Sequence, residues 1–473
     1  MGKYKKLFSN TLAMGLGQFS SKILSFLLVP LYTSVLSTEE YGTYDLIITT
    51  VTMLTPFLTL VISEAVMRFC MDKSYDSDKV LNVGINITVL GTAVLALFYP
   101  LICKIEALSE YAGWLILFFF VINIHTIFTQ YLKGIEKVGF YSVCGVLSTV
   151  LSLSLCILFL LYFDLGITGY FLATVISHVL VSLIIFLKEK LYKKIIHSFS
   201  VPKQTYTDML KFSTPMIPNS VSWWLSNSAS KYIILYFATT SAVGLYSVAY
   251  KIPSILSIVV TIFISAFQIS IFENFGKDET KVFFKNIYDG FFSINVAVAS
   301  FLIVVSKYAA SILYQKEFFG AWKVSCIIIF AYIFHSLSAL IGTIYSAAKK
   351  TRFLFTSTCI GAGINVLLSI VLIPKLNIEG AAIALVVSYC AVWLARLLNI
   401  KKEFAYKMGR FHNIISILII VAQIAMAYID SSISFVISVV LFIVVILMNI
   451  NTILKMDFVK QILGKFCFSR RRG

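Results

Sequence analysis

Three lysines stand where lysine is costly: Lys22, Lys231 and Lys251 each fall inside a long apolar run of the chain. A charge held in hydrocarbon costs roughly 3 kcal/mol or more, so such a residue faces a protein interior or a wet cavity and marks a function. Ammonium groups suit phosphate oxygens. The residues around them extend the pattern. Gln18, Ser20 and Ser21 precede Lys22, while Asn219, Ser222, Trp223, Trp224, Asn227, Ser228 and Ser230 lead up to Lys231. Amide donors and flat aromatic faces are what a sugar ring needs. The same serines and asparagines could instead tie helices together, and Trp223 and Trp224 fit an interfacial belt as well as a cavity wall. Acids are few. Asp45 reads as the salt-bridge partner of a cavity lysine, and Glu64 with Arg68 as an inner-edge pair; these three are the salt-bridge or coupling candidates.

Proline points to the same segments. Pro30, Pro56, Pro215, Pro218 and Pro253 lie in the runs that carry these charges. Proline inside a helix removes a backbone hydrogen bond and kinks the rod, and interrupted helices at matching places in two halves of a transporter point to its site.

The elements that position these residues are transmembrane helices. Of 473 residues 59% are hydrophobic and 13% charged, and the mean hydropathy is +0.91. A soluble domain is about 25% charged. Marking runs of about 20 apolar residues gives fourteen candidate spans, among them 8–36, 41–66, 209–238 and 242–271. The fold class is therefore all-α integral membrane. Of the 39 Lys and Arg, 29 fall at the N-terminus, in the even-numbered connections and in the tail, against five in the odd-numbered connections. Short basic loops stay cytoplasmic, so both termini are expected inside. Most of the net charge of +17 is then topological and calls for no nucleic acid as partner. The basic residues Lys211 and Arg396 lie near inner span ends, where they can snorkel.

Cysteines sit in apolar runs without CxxC spacing, and the five histidines at 125, 178, 197, 335 and 412 are scattered. No metal site is expected, and each imidazole reads as a separately satisfied or lumen-facing group. No nucleophile, base and orienter pattern occurs, and the outer connections are too short for a glycosyltransferase or polymerase domain. An N-terminal signal peptide is disfavoured, since the first apolar run is too long and lacks a small-x-small site.

Sliding the chain by 211 positions sets Leu165, Ile167, Gly169, Ala173 and Ser177 on Leu376, Ile378, Gly380, Ala384 and Ser388. A looser match sets Lys22 and Gly42-Thr43-Tyr44 on Lys231 and Gly244-Leu245-Tyr246. Spans 1 to 6 thus repeat as spans 7 to 12, in the same orientation, about a pseudo-two-fold axis along the membrane normal. The expected organisation is a six-helix lobe over 1–205, a second over 206–405, and two further helices with a basic tail over 406–473. A central cavity lined by spans 1, 2, 7 and 8 would carry the lysines.

The run Ser21-Lys22 to Pro30-Leu-Tyr-Thr, then Ser37-Thr-Glu-Glu-Tyr-Gly42-Thr-Tyr44-Asp45-Leu, resembles the opening of polysaccharide-unit flippases. These are the Wzx-type members of the multidrug, oligosaccharidyl-lipid and polysaccharide exporter superfamily. Pro215-Met-Ile-Pro218-Asn, Trp224, Ser230-Lys231-Tyr-Ile-Ile and Val243-Gly244-Leu245-Tyr246-Ser-Val-Ala-Tyr250-Lys251 continue the resemblance over essentially the whole chain. It implies a V-shaped cavity and alternating access for an undecaprenyl-diphosphate-linked oligosaccharide in a bacterial cytoplasmic membrane. Lys22, Lys231 and Lys251 would attract the diphosphate, and the prenyl tail would stay among membrane lipids. No cofactor is implied, with proton, sodium or membrane potential as coupling sources, and polymerase and chain-length proteins of the pathway are the implied partners. Where relatives place an acid before the basic residue of span 7, this chain has Ser230, which leaves Lys231 without that neighbour. The rival cargoes are lipid II, or drugs exchanged for cations; the rival class is a membrane polymerase or glycosyltransferase of the same pathway.

Overall fold

In hydrocarbon every backbone amide must be satisfied within its own segment or a closed barrel, and long Leu-, Ile- and Phe-rich runs meet that demand as helices. The computed structural model describes residues 26–105, 109–197, 201–274, 279–348, 351–404 and 411–454, and every regular element among them is helical. In chain order the longer helices are α1 (Phe26–Val35), α2 (Thr38–Leu58), α3 (Ile62–Cys70), α4 (Ser77–Leu97), α5 (Ala112–Gly134), α6 (Val138–Tyr162), α7 (Gly166–Lys188) and α8 (Lys203–Ser213). They continue with α9 (Ile217–Phe237), α10 (Thr240–Ala249), α11 (Lys251–Asn274), α12 (Glu279–Leu313), α13 (Ala321–Ala347), α14 (Thr351–Phe404), α15 (Phe411–Ile429) and α16 (Ser432–Leu454). Among the described residues nine helices, or ten counting α2 with α3, are long and apolar enough to cross a bilayer. The chain is an all-α membrane protein.

The described residues form two compact units, those up to Leu235 with Thr239–Gly244, and Tyr236–Ala238 with those from Leu245 onward. Helix α9 and the first turn of α10 thus group with the first unit, and α15 and α16 with the second. In the second unit Ser300 of α12 donates to Gln423 of α15 at 2.8 Å, and Gln423 donates to the Ser438 carbonyl of α16 at 3.0 Å. Such interhelical hydrogen bonds are one of the few forces that join helices in lipid.

The prolines mark ends and beginnings of helices more than mid-helix bends. Helix α2 opens with a capping box, in which Ser37 Oγ accepts from the Glu40 amide at 3.1 Å and Glu40 Oε2 accepts from the Ser37 amide at 2.8 Å. It ends two residues after Pro56, where Leu60 and Val61 adopt left-handed backbone angles and α3 departs at 63°. Pro215 occupies a 3-10 turn, Thr214–Met216, that separates α8 from α9, and Pro218 lies in the first turn of α9. Pro253 lies in the first turn of α11, where a missing amide costs little. Pro30 is the exception, inside α1. Helix α14 is two rods joined at Asn377 (φ 49°).

Candidate functional site

Helices α2 and α9 share one polar seam within the first unit. Asp45 and Thr49 lie four residues apart on α2, hence on one face, and Trp224 and Lys231 lie seven apart on α9. Lys231 Nζ donates to Asp45 Oδ2 at 2.6 Å and to Thr49 Oγ1 at 3.4 Å. The two side chains are only 15% and 17% exposed. One turn away Trp224 Nε1 donates to the Thr49 carbonyl at 3.1 Å, and the Trp224 and Tyr232 rings lie 5.7 Å apart. Thr50 Oγ1 donates to the Leu46 carbonyl at 2.7 Å, so the 2.5 Å contact with Tyr232 is donated by the phenol. The carboxylate missing before Lys231 in its own helix is therefore supplied 186 residues away in sequence. A charge-assisted bond of this length, mostly shielded from solvent, fixes the ammonium in position.

The seam is held at one end by a backbone crossing. A Cβ on Gly42 of α2 would run into the Thr240 carbonyl oxygen, and one on Gly244 of α10 into the Thr38 carbonyl oxygen. Thr38 and Ser241 hydroxyls bond there at 2.5 Å. Only glycine permits such an approach. Beside it the Tyr32 and Tyr41 rings stack at 4.5 Å, and Tyr44 meets Tyr170 of α7 at 4.3 Å.

The other expected residues divide. Asn219, Trp223 and Asn227 recur every four residues on an exposed stripe of α9, away from the seam; Trp223 is 48% exposed, and Asn227 Nδ2 donates to the Trp223 carbonyl at 2.7 Å. The two tryptophans thus point to different surroundings. Lys251 opens α11 in the second unit. Lys22 and Gln18 lie outside the described residues.

Three readings need correction. Glu64 and Arg68 do not pair: Arg68 reaches Asp72 at 3.9 Å, and Glu64 accepts from Gln130 Nε2 of α5 at 3.1 Å. The restart of the helix at Ile62 turns Glu64 toward α5 and leaves Arg68 exposed. Arg396 does not snorkel. It is buried and donates to Ser357 Oγ at 3.0 Å, the Ser338 carbonyl at 2.9 Å, Thr358 Oγ1 at 2.9 Å and the Leu354 carbonyl at 3.3 Å, neutral groups that replace its water. The histidines are not all isolated: His125 and His178 rings lie 4.9 Å apart between α5 and α7. Among the described residues no group of three metal-ligating side chains assembles.

Thr49, Thr50 and Tyr232 complete the seam and were missed from sequence, although Thr49 follows Asp45 at helical spacing. Gly42 and Gly244 had been matched as repeat equivalents; in the structure they also touch.

The long apolar helices define a polytopic all-α membrane protein. Its fold is similar to that of the lipid II flippase MurJ in an inward closed conformation, with a TM-score of 0.71 and 16% identity over 94% of this chain and 99% of that one. It is also similar to an inward-facing multidrug resistance MATE family transporter of the MOP superfamily, with a TM-score of 0.65 and 16% identity over 81% and 94% of the two chains. A MATE structure in the straight conformation matches at a TM-score of 0.57, with 17% identity over 85% of this chain and 96% of that one. The polysaccharide biosynthesis protein family model matches residues 7–268, more than half of the sequence, and the chain belongs to that family. No curated protein matches it significantly in sequence.

Proposed function

We propose that this chain flips an undecaprenyl-diphosphate-linked oligosaccharide repeat unit from the inner to the outer leaflet of a bacterial cytoplasmic membrane by alternating access, for surface polysaccharide assembly. The observation that carries the reading is Lys231, an ammonium group shielded between α2 and α9 in a chain from a polysaccharide biosynthesis family with a flippase-like fold. In this reading Asp45 holds Lys231 in place until the diphosphate, with more negative charge, competes for it. Lys22 and Lys251 add to the attraction, the prenyl tail remains in lipid, and Gln18, Asn219, Trp223, Trp224 and Asn227 meet the sugars. No bond is made or broken in the cargo, so the chain is a transporter and not an enzyme.

Fourteen spans with both termini cytoplasmic, and lobes over 1–205 and 206–405 followed by 406–473, belong to the same proposal. The polymerase and chain-length proteins of the pathway would take over the flipped unit. A second reading, lipid II as cargo, is favoured by the match along nearly the full length of both chains to a lipid II flippase. Lipid II shares the polyprenyl diphosphate, so the lysines serve both readings and the sugar distinguishes them. A deletion strain tests the choice. It should accumulate lipid-linked repeat units facing the cytoplasm while cell-wall synthesis continues; arrested cell-wall synthesis with normal surface polysaccharide would overturn the preferred cargo.

A further inference from the structure

Helix α13 is buried along most of its length, and the residues that escape burial fall into two stripes. Lys323 at the helix start, Ile327 and Phe330 form one, which suits lipid. Tyr332, His335, Ala339 and Ser346 form the other, at helical spacing on the other side of the rod. This second stripe is polar near the middle of a membrane-spanning helix, where a group without a partner is expensive. It therefore opens on a polar space and not on hydrocarbon.

Four rings converge there. Tyr332 lies 5.6 Å from His335 and 6.4 Å from Tyr250, at the junction of α10 and α11, and His335 lies 4.9 Å from Tyr389 of α14. The Tyr250 and Tyr246 hydroxyls share a hydrogen bond at 2.9 Å. The Tyr332 hydroxyl and the His335 ring nitrogens have no hydrogen-bond partner among the described residues, and both side chains are partly exposed rather than sealed in. A tyrosine hydroxyl in an interior ordinarily finds a partner. Ring faces with unused neutral donors and acceptors suit a sugar, whose C–H face stacks and whose hydroxyls pair. Such rings would also cage an organic cation, but the surroundings are positive. Lys251 directly follows Tyr250, and the Arg396 guanidinium, held by neutral groups alone, donates to the Ser338 carbonyl one turn beyond His335 at 2.9 Å.

We propose that Tyr250, Tyr332, His335 and Tyr389 form a sugar-binding face on the second unit, made of residues other than those of the Lys231 seam. The source of the sugar rests on the flippase reading: the repeat unit of the cargo is held here through its hydroxyls, while the ammonium groups take the diphosphate. Equilibrium binding to the purified full-length protein tests it with two probes, the undecaprenyl-diphosphate repeat unit extracted from the deletion strain and undecaprenyl diphosphate without sugar. Wild-type protein should bind the first more tightly. Tyr332→Phe, which removes a single hydroxyl, should weaken that binding about 5-fold, and adding His335→Leu should bring the loss to about 10-fold or more. Affinity for the sugar-free probe should not change in either variant. Equal wild-type affinity for the two probes, or sugar-bearing affinity unchanged in both variants, overturns the face and leaves the flippase reading. Equal losses for the two probes would make the residues merely structural and overturn it as well. Wild-type protein that binds neither probe overturns the flippase reading and the face with it.

Discussion

Removing Asp45 takes the 2.6 Å ion pair from the Lys231 ammonium and leaves it, among the described residues, with the Thr49 hydroxyl at 3.4 Å. Breaking a buried pair from one side costs about 3–5 kcal/mol, because the remaining charge keeps its desolvation cost without its partner. With both side chains about one-sixth exposed, the lower end applies. Asp45→Leu should therefore destabilise by about 3 kcal/mol, close to a hundredfold in the folding equilibrium. Lys231→Leu should also destabilise, since it removes the 2.6 Å ion pair from Asp45. The double variant should recover most of the loss, because apolar replacement of a whole buried pair is nearly neutral. Function should not recover with it: the double variant inserts and folds but makes no surface polysaccharide. Unfolding of the four purified forms gives the coupling energy, and polymer on the cells gives the function. Strictly additive destabilisation would refute the pair, and normal polymer from the double variant would refute its role in transport.

At the glycine crossing, Gly42→Ala should destabilise by about 1–3 kcal/mol, since its Cβ meets the Thr240 carbonyl oxygen and that backbone cannot yield without strain; thermal unfolding measures it. Trp224→Phe, which removes the bond to the Thr49 carbonyl, should cost about 1 kcal/mol, whereas Trp223→Phe on the exposed stripe should leave stability unchanged. Equal losses at the two tryptophans would contradict their opposite placement. A reporter active only outside the membrane should stay silent on the C-terminal tail, and a bright signal there would break the fourteen-span topology.

Apolar run length made the all-helical membrane fold legible, because hydrocarbon allows few alternatives. The Lys231 seam was legible in part: an ammonium group in a polar stretch between apolar flanks announces a buried partner, and acids were too scarce for many candidates besides Asp45. Partner choice across helices was not. Glu64 and Arg68 are spaced to pair within α3, but Glu64 is taken by Gln130 of α5 and Arg68 by Asp72. The hydroxyls and carbonyls that collect around Arg396 come from residues up to 58 positions away, and the His125–His178 contact spans two helices. Periodicity describes the face of one helix and says nothing of which face of another it meets.

The central claim is movement of a lipid-linked sugar across a bilayer. Purified protein in liposomes containing undecaprenyl-diphosphate oligosaccharide, with an external glycosidase that digests only sugars on the outer leaflet, measures it directly. Wild-type protein should let digestion proceed past the initially exposed half toward completion, and Lys231→Ala should stop it near that half. Digestion that halts there with wild-type protein as in empty liposomes would contradict the account.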